Sequence, residues 1–109
     1  MVRGIGVDVV SFERTERCLS PSFVARAFTD REVAYAESQG LRIAAYATTF
    51  AAKEATFKAL GTGWTDGQAV EIRRDRRGQP RAVVRNTGEE LRLSLAFETA
   101  HAIAIALWR

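Results

Sequence analysis

The chain has 109 residues, 47% hydrophobic and 27% charged, enough for a core that hides roughly two-thirds of the surface of the extended chain without any staple. One cysteine, Cys18, and one histidine, His101, exclude an internal disulfide, a Cys/His zinc cluster and a Ser-His triad. A net charge of +3 hints at an anionic partner and leaves nucleic acid, a phosphate-bearing small molecule and an acidic protein all open.

Val2-Arg3-Gly4-Ile5-Gly6-Val7-Asp8-Val9-Val10 is short, β-branched and punctuated by glycine, which predicts a strand with a close backbone approach at its glycines. Ser11 is a helix cap with Glu13 in the first turn, and Ser20-Pro21 repeats the signal. Thr29-Asp30-Arg31-Glu32 has capping-box spacing and starts a third helix. Arg42 to Leu60 is alanine-rich, free of Gly and Pro, and apolar at Ile43, Tyr46, Ala47, Phe50, Phe57 and Leu60. It is the strongest helical segment, closed by Gly61. The period then changes to 2: Ala69–Arg73 alternates, Asp75-Arg76-Arg77-Gly78 turns, and 79–85 returns with Pro80 at its entrance. Residues 91–97 and 100–108 read as two more strands across a tight Glu98-Thr99 turn. With no repeat or linker, the expectation is a single α+β domain over 1–109: one strand, a helical half, then an antiparallel meander. Ala100–Trp108 is too short to span a bilayer and residues 1–11 lack signal-peptide regions, so a cytoplasmic protein with no membrane partner is expected.

Asp8 and Glu54 are the first candidates for chemistry. Each is a carboxylate in an apolar or alanine-rich element, where burial without a partner costs several kcal/mol. Brought together they suit Mg²⁺, which takes one or two protein carboxylates and completes its shell with water and phosphate oxygens. Equally, Asp8 fits a frayed strand end, and Glu54 fits a surface ion pair with Lys58 at i+4. Lys58 shares the Glu54 face and can reach a phosphate or an attacking hydroxyl. Lys53, one residue off that face, is either solvated or reaches a substrate lying across the helix. Gly61-Thr62-Gly63 is an anion-binding turn or simply a helix stop.

Other signals are weaker. Gly4-x-Gly6 lacks the third glycine of a dinucleotide fingerprint. His101 has neighbours Ala100, Ala102 and Ala104 that leave no obvious acid to orient it as a base, and fits an ordinary strand histidine. Arg73, Arg74, Arg76, Arg77, Arg81 and Arg85 make a basic hairpin without interleaved aromatics, better suited to a solvated edge than to a specific nucleic-acid site. Arg14, Arg17 and Arg26 lie on the early helices beside Phe12, Phe23 and Phe28, a surface suited to an acidic helical partner or to ordinary amphipathic packing.

Taken together the segments resemble the small holo-acyl-carrier-protein synthases, which are 4′-phosphopantetheinyl transferases. Gly4-Ile5-Gly6-Val7-Asp8-Val9-Val10 is similar to the family's G-I-G-x-D opening. Phe50 to Gly63 is similar to its long (W/F)-A-A-K-E-A-x-x-K-A-x-G-T-G motif. Phe23–Glu32 resembles its F-x-x-R-x-(F/L)-T-x-x-E segment, and Val70–Ile72 with Asp75, Gly78 and Pro80 its central hairpin. The resemblance implies the transferase fold and transfer of phosphopantetheine from coenzyme A to a carrier-protein serine, in fatty acid or polyketide synthesis. It implies Mg²⁺ held by Asp8 and Glu54, with Glu54 and Lys58 as catalytic groups and Lys58 contacting the phosphate or assisting the serine. It further implies coenzyme A contacts at Lys53, Lys58, Gly61, Thr62 and Gly63, an acyl carrier protein docked on Arg14 and Arg26, and a homotrimer with sites between subunits.

The chain also departs from that pattern. Thr48-Thr49-Phe50 stands where the family has G-R-(F/W), and Ala96-Phe97 replaces a Ser-His pair on the coenzyme A side. His101 is expected on the returning strand near Ala96, and the helix before that strand shrinks to Asn86–Glu90. Two readings follow: an active transferase with retuned coenzyme A binding, or a repurposed member that binds a carrier protein or acts on a carrier-tethered acyl or polyketide chain. Phe97 suits the second, because an aromatic ring meets an apolar substrate better than a phosphate.

Overall fold

The glycine-punctuated opening forms strand β1 (Gly4–Ser11) in the computed structural model, which describes residues 1–109. Three short helices follow: α1 (Phe12–Cys18), α2 (Pro21–Ala27) and α3 (Asp30–Ser38). Each begins at the side-chain cap its sequence carries, Ser11, Ser20 and Thr29 accepting from the N–H three residues on. Such caps contribute about 1 kcal/mol apiece. Helix α4 (Arg42–Leu60) ends where Gly61 turns left-handed at φ 78°. Strands β2 (Val70–Arg74), β3 (Pro80–Val84), β4 (Glu90–Glu98) and β5 (His101–Trp108) complete the chain. No helix is long and apolar enough to cross a membrane.

The five strands form one antiparallel sheet in the order β1-β5-β4-β3-β2, so the last strand lies between the first and the meander. Helix α4 packs on one face. Its Ala51, Ala52, Ala55 and Ala59 meet Ala104 and Ala106 of β5, Leu91 and Leu93 of β4, and Val70 and Ile72 of β2. Small residues on both sides permit a very short helix-to-sheet distance. A β-carbon on Gly6 would stand 2.0 Å from the Ala55 carbonyl oxygen, and one on Gly4 1.9 Å from that of Ala59, so glycine is required there by space alone. Beside this core, Phe28, Tyr46, Ala27, Ala36 and Ala45 bind α2 and α3 to the first half of α4.

The hairpin between β4 and β5 is displaced by one residue from the expected Glu98-Thr99 turn. Glu98 pairs with His101 across Thr99-Ala100, and Ala96 faces Ile103. The alternation of β5 then buries Ala102, Ala104 and Ala106 under α4 and turns His101, Ile103 and Ile105 outward. Bulky residues are excluded from the inner face between Ala102 and Ala106 because α4 sits too close, and only Trp108 at the strand end returns to a large side chain.

Candidate active site

Asp8 and Glu54 come together because β1 lies directly along α4. Asp8 is the fifth residue of β1, and Glu54 is one turn before Lys58 on the helix face beside it. All three line a groove of about 340 Å³ between β1, α4 and the α1–α2 pair. Ser11, Arg14, Thr15 and Cys18 form one side, and Phe23, Phe28 and Phe50 an aromatic wall. The wall is rigid: Phe50 stacks on Trp64 at 5.0 Å between centroids and packs on Phe23 at 6.0 Å.

The Lys58 ammonium donates to the Asp8 carboxylate and to the Val7 carbonyl, each at 3.0 Å. The expected alternative, a Glu54–Lys58 surface pair, is therefore not formed; Lys58 reaches across to β1. That leaves the Glu54 carboxylate in the groove without an ion-pair partner. Partial burial raises its pKa, the adjacent Asp8 charge raises it further, and Lys58 only partly opposes them. A half-buried carboxylate pressed against a second one is electrostatically short of a cation. Only these two acids converge, and no cluster of three or more metal-ligating side chains exists, so the donor set fits an ion that keeps open positions for water and substrate oxygens.

Lys53 does not reach this groove, and its expected place against a substrate is corrected. Its side chain is 0% exposed, and its ammonium donates to Glu32 Oε1 at 2.6 Å. Adjacent helical residues point about 100° apart, so a face that delivers Glu54 to the groove sends Lys53 inward. Gly61 and Thr62 need a similar correction as anion donors. Their N–H groups donate to the Lys58 and Phe57 carbonyls and close the helix, leaving only the Gly63 N–H of that turn, at φ 66°, without an intramolecular acceptor.

Arg14 lies at the edge of the groove and Arg26 on α2, both exposed and outside any ion pair, whereas Arg17 pairs with Glu13 at 3.2 Å. Phe12 is not part of the wall; it packs against Phe97 with centroids 6.1 Å apart. Phe97 and Ala96 border a different cavity, with Leu41, Thr48 and Arg74, so within one chain they stand apart from Asp8 and Glu54. His101 is exposed at the β5 start.

Glu32 is the residue sequence reasoning missed. Its capping-box spacing explains the Thr29 contact, but the same carboxylate also accepts from Lys53 and from the Ile72 N–H at 2.6 Å. The available signal was Lys53, a charge set beside Glu54 within the alanine-rich stretch Ala51–Ala55.

Comparison with known proteins settles the family. The family model described as the 4′-phosphopantetheinyl transferase superfamily matches residues 4–106. The chain belongs to this superfamily. Within it, a holo-[acyl-carrier-protein] synthase of Moorella thermoacetica is 37% identical, over 94% of this chain and 90% of that protein. The crystal structure of a holo-(acyl-carrier-protein) synthase from Bacillus anthracis, in complex with coenzyme A (3′,5′-ADP), superimposes with a TM-score of 0.86 at 32% identity, covering 98% of this chain and 96% of that one. The synthase from Neisseria meningitidis gives a TM-score of 0.88 at 28% identity, covering 100% and 99%. The transferase fold expected from the motifs is the fold observed.

Proposed function

We propose that this chain is a holo-acyl-carrier-protein synthase, transferring 4′-phosphopantetheine from coenzyme A to a serine of an apo acyl carrier protein and releasing adenosine 3′,5′-bisphosphate. The observation that carries the proposal is the convergence of Asp8, Glu54 and Lys58 at one groove, in a chain of phosphopantetheinyl transferase family whose relatives at up to 40% identity are named as such synthases.

Asp8 and Glu54 would hold Mg²⁺, which when bound supplies positive charge to the pyrophosphate and to the charge growing on the leaving phosphate. Lys58 brings a mobile, half-exposed ammonium next to the same carboxylates. It can exchange its Asp8 contact for a phosphate oxygen of the transferring group, and that interaction strengthens as charge develops. The aromatic wall shields the opposite side from water. Of the turn after α4, only Gly63 offers a free N–H to the nucleotide side.

The acidic carrier protein docks on Arg14 and Arg26 in this reading, whose guanidinium groups are exposed and unpaired, Arg14 at the edge of the groove and Arg26 on α2. The working unit is three copies with sites between them. Support comes from the outward face of the sheet, where Ile5, Val7, Val9, Ile103 and Ile105 are 41–65% exposed, a contiguous apolar surface of the kind that marks an interface. Placement of Ala96 and Phe97 away from the Asp8 groove agrees with it, since in this reading those positions meet coenzyme A from a neighbouring copy.

The test is direct. Incubation with coenzyme A, Mg²⁺ and apo carrier protein should add one phosphopantetheine arm to the carrier by intact mass. If apo carriers gain nothing while holo or acylated carriers bind, the repurposed-member reading replaces this one.

A further inference from the structure

Helix α4 carries Lys53 and Glu54 side by side, one turned into the protein and the other into the groove. Lys53 and Glu32 are 0% and 1% exposed at their side chains and meet at 2.6 Å. Glu32 is also the meeting point of three elements. Its Oε1 accepts from the Thr29 N–H ahead of α3 at 2.9 Å, and its Oε2 from the Ile72 N–H at 2.6 Å. Strand β2 is the last of the sheet and pairs only with β3, so the Glu32 carboxylate takes the place of a missing neighbour strand at Ile72.

Stability alone is a poor explanation for such a pair. Taking both charges out of water offsets most of their attraction, and buried ion pairs are often replaceable by apolar residues of like volume. What the pair does impose is geometry. It is satisfied at one rotation and one height of α4 relative to α3 and β2, and a shift by one residue leaves two buried charges apart. On the opposite side of α4 the close approach of Gly4 and Gly6 fixes the helix-to-strand distance, while Tyr46, Phe50 and Phe57 pack the helix against Phe28 and Trp64; to these apolar contacts the buried pair adds a polar lock on rotation immediately beside Glu54. The distance between Asp8 and Glu54 is thus set by the glycines, and the direction of Glu54 by the buried pair acting with these aromatic contacts.

We propose that Glu32 and Lys53 are positioning residues for the candidate metal site, holding α4 at the rotation that presents Glu54 to Asp8. The inference rests on the assignment of Asp8 and Glu54 as cation ligands, and its test separates the two.

Mn²⁺ binding to the free protein, with no coenzyme A or carrier present, is measured by electron paramagnetic resonance for wild type, Glu54→Gln, Lys53→Met and the uncharged double variant Glu32→Gln/Lys53→Met. Folding is followed by circular dichroism and melting. The expected result is a Mn²⁺ dissociation constant raised about tenfold or more in folded Lys53→Met and in the double variant, the range seen when groups that orient metal ligands are removed. If Lys53→Met does not fold, the double variant, which buries no charge, decides. Unchanged Mn²⁺ affinity in a folded variant, with Glu54→Gln impaired, overturns the positioning role alone. Unchanged affinity in Glu54→Gln overturns the ligand assignment and this inference with it.

Discussion

The Lys58 ammonium bonds to Asp8, fifty residues away, at 3.0 Å, and leaves Glu54, one turn earlier on its own helix, without a charge partner. The contact is half open to solvent, so its worth to folding is at most about 1 kcal/mol. In the proposed mechanism that weakness has a use, since an ammonium lightly held on a carboxylate can move to a phosphate. Lys58→Met should therefore melt within a few degrees of wild type while kcat falls by about 10²–10³-fold, the usual loss when one donor to a developing oxyanion is removed. Near-normal kcat in the folded variant would remove Lys58 from the chemistry.

A β-carbon at Gly6 has no free direction. It meets the Ala55 carbonyl at 2.0 Å and the Ala59 nitrogen at 2.8 Å, and backbone atoms of a central helix do not yield as a side-chain tip does. Gly6→Ala should cost about 3 kcal/mol, at the upper end for overpacking, and lower the melting temperature by roughly 10–20 °C. The same substitution at Gly40, which has nothing within 4 Å, should be nearly silent. Equal melting temperatures for the two variants would contradict the close packing of β1 on α4.

These relationships show why part of the molecule is readable from its sequence. Capping at Ser11, Ser20 and Thr29, the stop at Gly61 and the glycines of β1 are local or single-residue effects, and the order of residues displays them directly. The Asp8–Glu54 pairing needed the idea that β1 lies on α4, for which two glycines and a row of alanines were the only physical hints; the pairing itself came from the motif resemblance. Lys53 was misread because its partner is twenty-one positions away, and Glu32 because one role, the capping box, accounted for it so well that two further bonds had no visible cause. The alternation of β5 was visible, but its inward side was not: alanines face the core only because α4 stands so near.

Glu54 gives a pH dependence with a definite sign. Burial, then the neighbouring Asp8, raises its folded pKa above the ordinary 4.5. A raised carboxyl stabilises the fold only while it is protonated. Its contribution is complete below about pH 4.5 and is lost as pH rises through the higher folded value. Glu54→Gln cannot ionise, so without divalent cations it should melt above wild type at about pH 7.5 and lose that advantage at about pH 4. Mg²⁺ should then raise the wild-type melting temperature at neutral pH and not that of Glu54→Gln. A stability difference independent of pH would refute the assigned cause.

Arg14 is exposed and unpaired, and its side chain supports no core contact. Charge reversal there should act on encounter with an acidic partner and leave the reacting groups alone. Arg14→Glu is expected to raise KM for the carrier protein about tenfold, with weaker salt dependence, while KM for coenzyme A stays put. A parallel rise in both constants would mean that Arg14 belongs to the nucleotide site instead.

The proposed assembly of three copies rests on the outer face of the sheet. Val7 stands opposite Ile105 and Val9 opposite Ile103 in the β1–β5 ladder, so four branched side chains form one exposed block, with Ile5 beside them. The alanines of β5 already fill the space under α4, and no element of the chain covers the other side. A charge placed in this block is harmless in a monomer and costly under a partner, where it must be desolvated without a counter-ion. Ile105→Glu should thus leave the melting of the isolated fold almost unchanged and convert a three-chain species, seen by sedimentation equilibrium, into single chains. Turnover should vanish with the assembly, because one chain alone keeps Asp8 and Glu54 apart from Ala96 and Phe97. A monomeric Ile105→Glu protein with full transferase activity would show that each chain carries a complete site.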